Sequence, residues 1–270
     1  MVKRILKYAF ITLVLLFLYA PIVLLVIYSF NDSSVIGIWS NKWTFRLYVD
    51  LYNDKDLLQT VWNTLLLAIL AGVISTVLGT IGAIGMFYSK KKTYKVLSGI
   101  TNIPVINAEI VTAISIALVC SLLAFGRTYA SLLIGHVVLC FPFVVLNVLP
   151  KLKQMNPNIY EASLDLGASP TKALFTVIIP QILPGIFSGF LMAITLSLDD
   201  YIITTFTKPS TFFTKPSTFD TISTYVYDAY AKGGRNSSIP ALRALSTIIF
   251  VVMILVIVIA NLRASKRRDK

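Results

Sequence analysis

EASLDLGASPTKALFTVIIP, residues Glu161 to Pro180, is the most telling stretch of this chain. It is a semi-polar segment set between two apolar runs. Glu161, Ala162, Leu164, Asp165 and Leu166 suit one short helix. Gly167 follows, where a left-handed backbone would end that helix. Ser169 then supplies an N-cap and Pro170 a first-turn proline, so a second short helix is expected to start there. Two helices joined by a glycine elbow at a membrane surface make a rigid knob, and a rigid knob can pass force to a soluble partner. The plainer alternative is an ordinary amphipathic connection.

Outward from that stretch the chain is strongly apolar. Of its 270 residues 56% are hydrophobic and only 13% charged, and the mean hydropathy is +0.79. A soluble domain of this size has too little interior to hide so much apolar surface. The apolar residues come in runs, and a run of about 20 crosses a bilayer core as a helix. Six are read, near Tyr8–Phe30, Val61–Tyr88, Leu97–Leu123, Ala130–Leu149, Gln181–Phe206 and Arg243–Leu262. Backbone groups in lipid must be satisfied internally, so the expected class is an all-α integral membrane protein with six transmembrane helices. The expected organisation is a first helix and outer loop over 1–60, a five-helix core over 61–262 that contains the 161–180 elbow, and a basic tail over 263–270.

The formal net charge of +12 raises nucleic-acid binding as a first alternative. The distribution argues against it. With both termini inside, fifteen of the 24 basic residues fall in cytoplasmic segments, at Lys3–Lys7, Lys90–Lys95, Lys151–Lys172 and Arg263–Lys270. The outer loops carry the rest together with Asp32, Asp50, Asp54, Asp56, Asp220 and Asp228. This is the positive-inside pattern, and it places the Glu161 elbow in the cytoplasm. Lys3, Arg4 and Lys7 resemble the start of a signal peptide, yet the apolar run continues to Phe30 with no small-residue cleavage site, so a retained helix is expected. Cys120 and Cys140 lie within spans and read as inert buried thiols. His136 has no metal-ligand spacing around it and reads as a packed helix histidine.

Two outer loops are sizeable. The first, Asn31–Thr60, carries Trp39, Trp43, Tyr48 and Tyr52, the aromatic type that anchors at an interface. The last, Thr207–Leu242, holds a tandem repeat, TKPSTFF over Thr207–Phe213 and TKPSTFD over Thr214–Asp220. A contact surface for an outer partner and a duplication tolerated in an exposed loop both fit it.

Three acidic residues sit in or beside apolar spans: Glu109, Asp199 and Asp200. An Asp at the centre of a membrane helix costs about 2.5–3.5 kcal/mol, so such residues usually face a pathway or a partner. No Lys or Arg stands within a helical turn of the Asp pair. On one continuous helix, Ser197, Asp200 and Thr204 would share a face, with Leu196, Asp199 and Ile203 on the next. Unpaired carboxylates near a path attract a cation. Hydration near the outer surface, or capping of a helix, is the competing explanation. Nothing in the chain can hydrolyse ATP, because no G-x-x-x-x-G-K-[ST] phosphate loop is present.

The elbow resembles the EAA loop of inner-membrane permease subunits of ABC importers: Glu-Ala-Ala, three residues, Gly, nine residues, then Ile-x-Leu-Pro. Glu161, Ala162, Gly167 and Pro180 match in register, with Ser163, Val177 and Ile179 as small or conservative replacements. The resemblance extends to YAPIVLLVIYSFN, EIVTAISIAL, FPFVVLNV and SLDDYIITTF, and tilts toward the spermidine/putrescine permease subunits of the PotC type. It implies a type I importer permease (MetI-like) fold in a bacterial inner membrane, with Glu161, Ala162, Gly167 and Ser169 coupling to an ATPase. It implies three kinds of partner: a cytoplasmic ATPase dimer, a second PotB-type permease, and an extracytoplasmic polyamine-binding protein. It implies no cofactor in this chain, ATP being bound by the partner, and no metal or catalytic residue. Glu109, Asp199 and Asp200 are the expected substrate path. Polyamines are flexible polycations, which spaced carboxylates and aromatic faces can hold. A permease for another solute, such as a metal chelate or an anion, is the nearest alternative, and acidic path residues disfavour anions. A membrane enzyme would want a convergent polar set. A stand-alone channel or secondary transporter would be marked by an inverted internal repeat.

Overall fold

A computed structural model of the chain describes residues 2–33, 38–123, 126–156, 158–209, 219–231 and 239–268. Most of the tandem repeat, residues 210–218, lies outside the described residues. The elements in chain order are α1 (Val2–Ser29), α2 (Arg46–Asn53), α3 (Lys55–Phe87), α4 (Lys91–Ile106), α5 (Glu109–Leu122), α6 (Tyr129–Gln154), α7 (Asn158–Asp165), α8 (Pro170–Ala173), a π-helical turn (Leu174–Ile178), α9 (Ile179–Asp199), α10 (Ile202–Thr207), α11 (Ile222–Ala231) and α12 (Ile239–Arg268). Extended pairing among the described residues is confined to an isolated bridge between Asn31 and Trp43. The chain is helical, as its apolar runs require.

The chain divides into two compact units, Met1–Gln59 with Val226–Lys270, and Thr60–Tyr225. In the first, α12 lies against α1 and α2. Arg243 of α12 is almost fully buried there. Its guanidinium donates to the Ser33 carbonyl at 2.8 Å and stands over the Tyr28 ring. Asn31 ties the outer loop by donating to the Ser40 carbonyl and accepting from the Ser33 and Ser40 amides.

The second unit is built around α6. A capping box starts this helix, Thr128 accepting from the Ser131 amide and Ser131 from the Thr128 amide. One face of α6 is buried through Leu132, His136, Cys140, Val144 and Val148, a step of four that keeps one stripe inward. Opposite it, α9 buries Ile182, Gly185, Gly189, Ala193 and Ser197. The two run antiparallel in a fixed register. A Cβ at Gly185 would meet the Asn147 carbonyl, and one at Gly189 would meet Val144. Cys140 donates to the Ala193 carbonyl, and His136 reaches Ser197. Small residues at every fourth position let the helices approach closely, which in lipid is the main source of helix association. On another side α3 brings Gly79 against Val144 and Gly82 against Phe141.

Among the described residues, four helices are long and apolar enough to cross a membrane: Leu6–Ser29, Lys55–Phe87, Tyr129–Gln154 and the continuous run Pro170–Asp199. The count of six expected from the apolar runs is not reproduced among the described residues. The expected third span is two helices, α4 and α5, bent by 107°. Asn107 and Ala108 between them are extended, just after Pro104, which cannot donate to the helical ladder. Counted as one span, this pair makes five. The expected fifth span, Gln181–Phe206, starts earlier, at Pro170, and stops at Asp199, where Asp200 turns extended. The expected sixth falls in α12, a helix of 30 residues whose apolar part among the described side chains is Pro240–Val252.

Candidate functional site

The elbow is formed as its residues dictate. α7 ends in a Schellman motif: the Gly167 amide donates to the Leu164 carbonyl at 2.9 Å and the Ala168 amide to Ser163 at 3.1 Å. Gly167 adopts φ +86°, the left-handed region that a side chain disfavours. Ser169 caps the next helix by accepting from the Lys172 amide, with Pro170 at its first position. Glu161, Ala162, Gly167 and Ser169 are all exposed, and Leu166 between them is 89% exposed. One feature differs from expectation. The second short helix is not separate: α8 passes through the π-turn straight into α9. The wide turn falls just before Pro180, whose ring and missing N–H disturb a regular ladder. The elbow is therefore rigidly continuous with the helix that ends at Asp199. It also touches the turn that follows α3, through the Tyr88 and Tyr160 rings 5.6 Å apart.

At the far end of α9 lies the acidic group. Asp199 is exposed and Asp200 is 5% exposed. The Asp200 carboxylate accepts from the Ile203 amide at 3.1 Å, from the Thr204 amide at 2.8 Å and from the Thr204 hydroxyl at 2.8 Å. It thus caps α10. Glu109 opens α5 at the bend, exposed, with its carboxyl close enough to Asp200 and Asp199 for their charges to interact. The structure thus brings together three acidic residues that are about ninety positions apart in sequence at their widest. The grouping of Ser197, Asp200 and Thr204 also holds, although the helix that was to carry it is broken. Leu196, Asp199 and Ile203 do not share one helix, for the same reason.

His136 was missed. Sequence inspection leaves it isolated, but the folded chain surrounds it with partners. It is wholly buried. Its Nδ1 lies 2.8 Å from Ser197 Oγ, its Nε2 3.0 Å from Thr204 Oγ1 and 3.5 Å from Asp200 Oδ2. The available signal was a polar residue on the buried stripe of an otherwise apolar helix, since a buried imidazole needs partners. No group of three metal-ligating side chains with metal-site geometry occurs among the described residues.

Comparison with known proteins bears directly on these two features. Residues 75–268, which include the elbow, the acidic group and His136, match the model of the binding-protein-dependent transport system inner membrane component family. The chain belongs to this family. Among curated relatives, the permease is 32% identical over 271 residues to the spermidine/putrescine transport system permease protein PotC of Escherichia coli (strain K12), covering 100% of this chain and 97% of that one. It is 34% identical over 197 residues to the putrescine transport system permease protein PotI of the same organism, covering 70% of each. Among solved structures, it superposes with a TM-score of 0.70 at 20% identity on a chain of a bacterial ABC transporter involved in the import of the acidic polysaccharide alginate, over 99% of this chain and 97% of that one. That likeness concerns the fold. A multi-pass membrane component of a binding-protein-dependent importer accounts for the broken helices and the surface elbow together, and such permeases are not enzymes.

Proposed function

We propose that this permease forms part of the path for polyamines, spermidine or putrescine, in an importer driven by a separate ATPase. The observation that carries the substrate is the convergence of Glu109, Asp199 and Asp200. Among the described residues no Lys or Arg forms an ion pair with any of them. Carboxyl groups gathered without a fixed cation repel one another and favour a mobile one. A flexible polycation with charges spaced by methylenes satisfies several at once, and two exposed groups, Glu109 and Asp199, backed by the buried Asp200 bind it weakly enough to let it leave. The two polyamine permeases above support the same class. An anion would be repelled.

The remaining parts follow from the elbow. Glu161, Ala162, Gly167 and Ser169 present an exposed, capped surface to a cytoplasmic ATPase dimer. A PotB-type permease completes the membrane part, and an extracytoplasmic binding protein delivers the substrate. Both termini are cytoplasmic, in line with the positive-inside distribution. An impermeant thiol reagent added outside should label Asn41→Cys and leave Ser169→Cys unlabelled; the reverse pattern excludes this orientation. The function is tested by reconstituting the complex in proteoliposomes. ATP-dependent uptake of spermidine or putrescine, and none of sulfate or molybdate, is expected. Uptake of the anion without the polyamines would overturn the proposal.

A further inference from the structure

His136 bridges a break in the backbone. α9 stops at Asp199, Asp200 is extended with ψ 125°, and α10 resumes at Ile202. Ser197 lies before this break and Thr204 after it, and one imidazole ring on a third helix, α6, bonds to both. The direction of these bonds follows from what each group can do. The Asp200 carboxylate only accepts, so the Thr204 hydroxyl donates to it. That leaves a Thr204 lone pair for His136, so Nε2 carries the proton. In the neutral imidazole Nδ1 is then the acceptor for the Ser197 hydroxyl. The result is a one-way chain that fixes the ring's tautomer and orientation. The break is held from a second direction, because Ser223 Oγ donates to the Asp200 carbonyl at 2.6 Å. An apolar side chain at 136 would fill the space but would make none of these ties.

We infer that His136 is a positioning residue for the acidic group: by clamping Ser197 to Thr204 it sets how Asp199 and Asp200 stand relative to Glu109, and so which polycation spacing the path favours. This rests on the proposal that those three carboxyl groups line the path. His136 itself touches no substrate; it is buried and acts through the break. Its removal therefore alters discrimination between polycations of different length, beyond any loss of assembled protein.

The test is the ratio of spermidine to putrescine uptake, measured with both present in the same proteoliposomes containing the full complex. The amount of active transporter cancels from this ratio, so a purely structural defect leaves it unchanged. His136→Ala is expected to shift the ratio by roughly two- to tenfold, the range for loss of one or two buried hydrogen bonds. Ser197→Ala, a milder change that keeps the ring in place, should shift it in the same direction, and the double variant should add little. His136→Gln, which can still donate toward Thr204, and His136→Asn, which can still accept from Ser197, should each restore part of the wild-type ratio. Unchanged ratios in both His136→Ala and Ser197→Ala, or additive shifts in the double variant, would overturn the inference. If those ratios are unchanged while Asp199→Asn and Glu109→Gln slow uptake, only the role of His136 fails. If the acidic substitutions are also silent, the path itself has been misplaced.

Discussion

Gly167 decides how the chain leaves α7 and enters the helix that leads to the acidic group. At φ +86° an L side chain costs about 1–2 kcal/mol through its own backbone, whatever the surrounding space. The space around this glycine is in fact open. A substitution here therefore tests backbone geometry alone. Gly167→Pro is the stronger change, since φ is locked near −65° and the amide that donates to Leu164 is lost. With Gly167→Pro the subunit should still insert and assemble, while ATP hydrolysis no longer drives uptake. Wild-type transport by this variant would remove the elbow from the coupling route. Ser169 and Pro170 act over the same few residues, which is why this turn could be read from the sequence in detail.

The helices owe their register to small residues, and that makes a second outcome specific. On α3, Gly79 has Val144 Cγ1 2.7 Å from where a Cβ would sit, whereas Gly85 has nothing within 4 Å. Gly79→Ala should lower the melting temperature of the detergent-solubilised complex, with overpacking costing about 1–3 kcal/mol. Gly85→Ala on the same helix should be neutral or slightly stabilising, because alanine favours a helix over glycine by about 1 kcal/mol. Equal effects at the two sites would contradict the observed register. The same helices show where sequence reading stops. Apolar runs locate α3, α6 and α9 well because burial in lipid depends on composition over many residues. They do not reveal the bend between α4 and α5 or the break at Asp200, because apolar residues continue on both sides. The ties that stabilise the second break come from His136, 61 and 68 positions from its partners, and no local pattern joins residues so distant.

Taken together, the elbow and the acidic group lie at opposite ends of one uninterrupted helical run, Pro170 to Asp199. On the function proposed above, displacement of the elbow by an ATPase would reach the carboxyl groups along this one helix. Opposite charges about 4 Å apart interact by about 4 kcal/mol at an effective dielectric of 20 and about 1 kcal/mol in water. A polycation held there should be sensitive to each carboxylate removed. Asp54→Asn is a fitting control: it keeps an acceptor for the Leu57 amide at the start of α3 while removing the charge. The most direct measurement is ATP-driven spermidine uptake by the reconstituted complex carrying Glu109→Gln, Asp199→Asn or Asp200→Asn. Each should slow uptake at least about fivefold, the equivalent of the smaller of those two energies, with assembly intact and Asp54→Asn unaffected. Normal polyamine uptake by all three acidic variants would contradict the account.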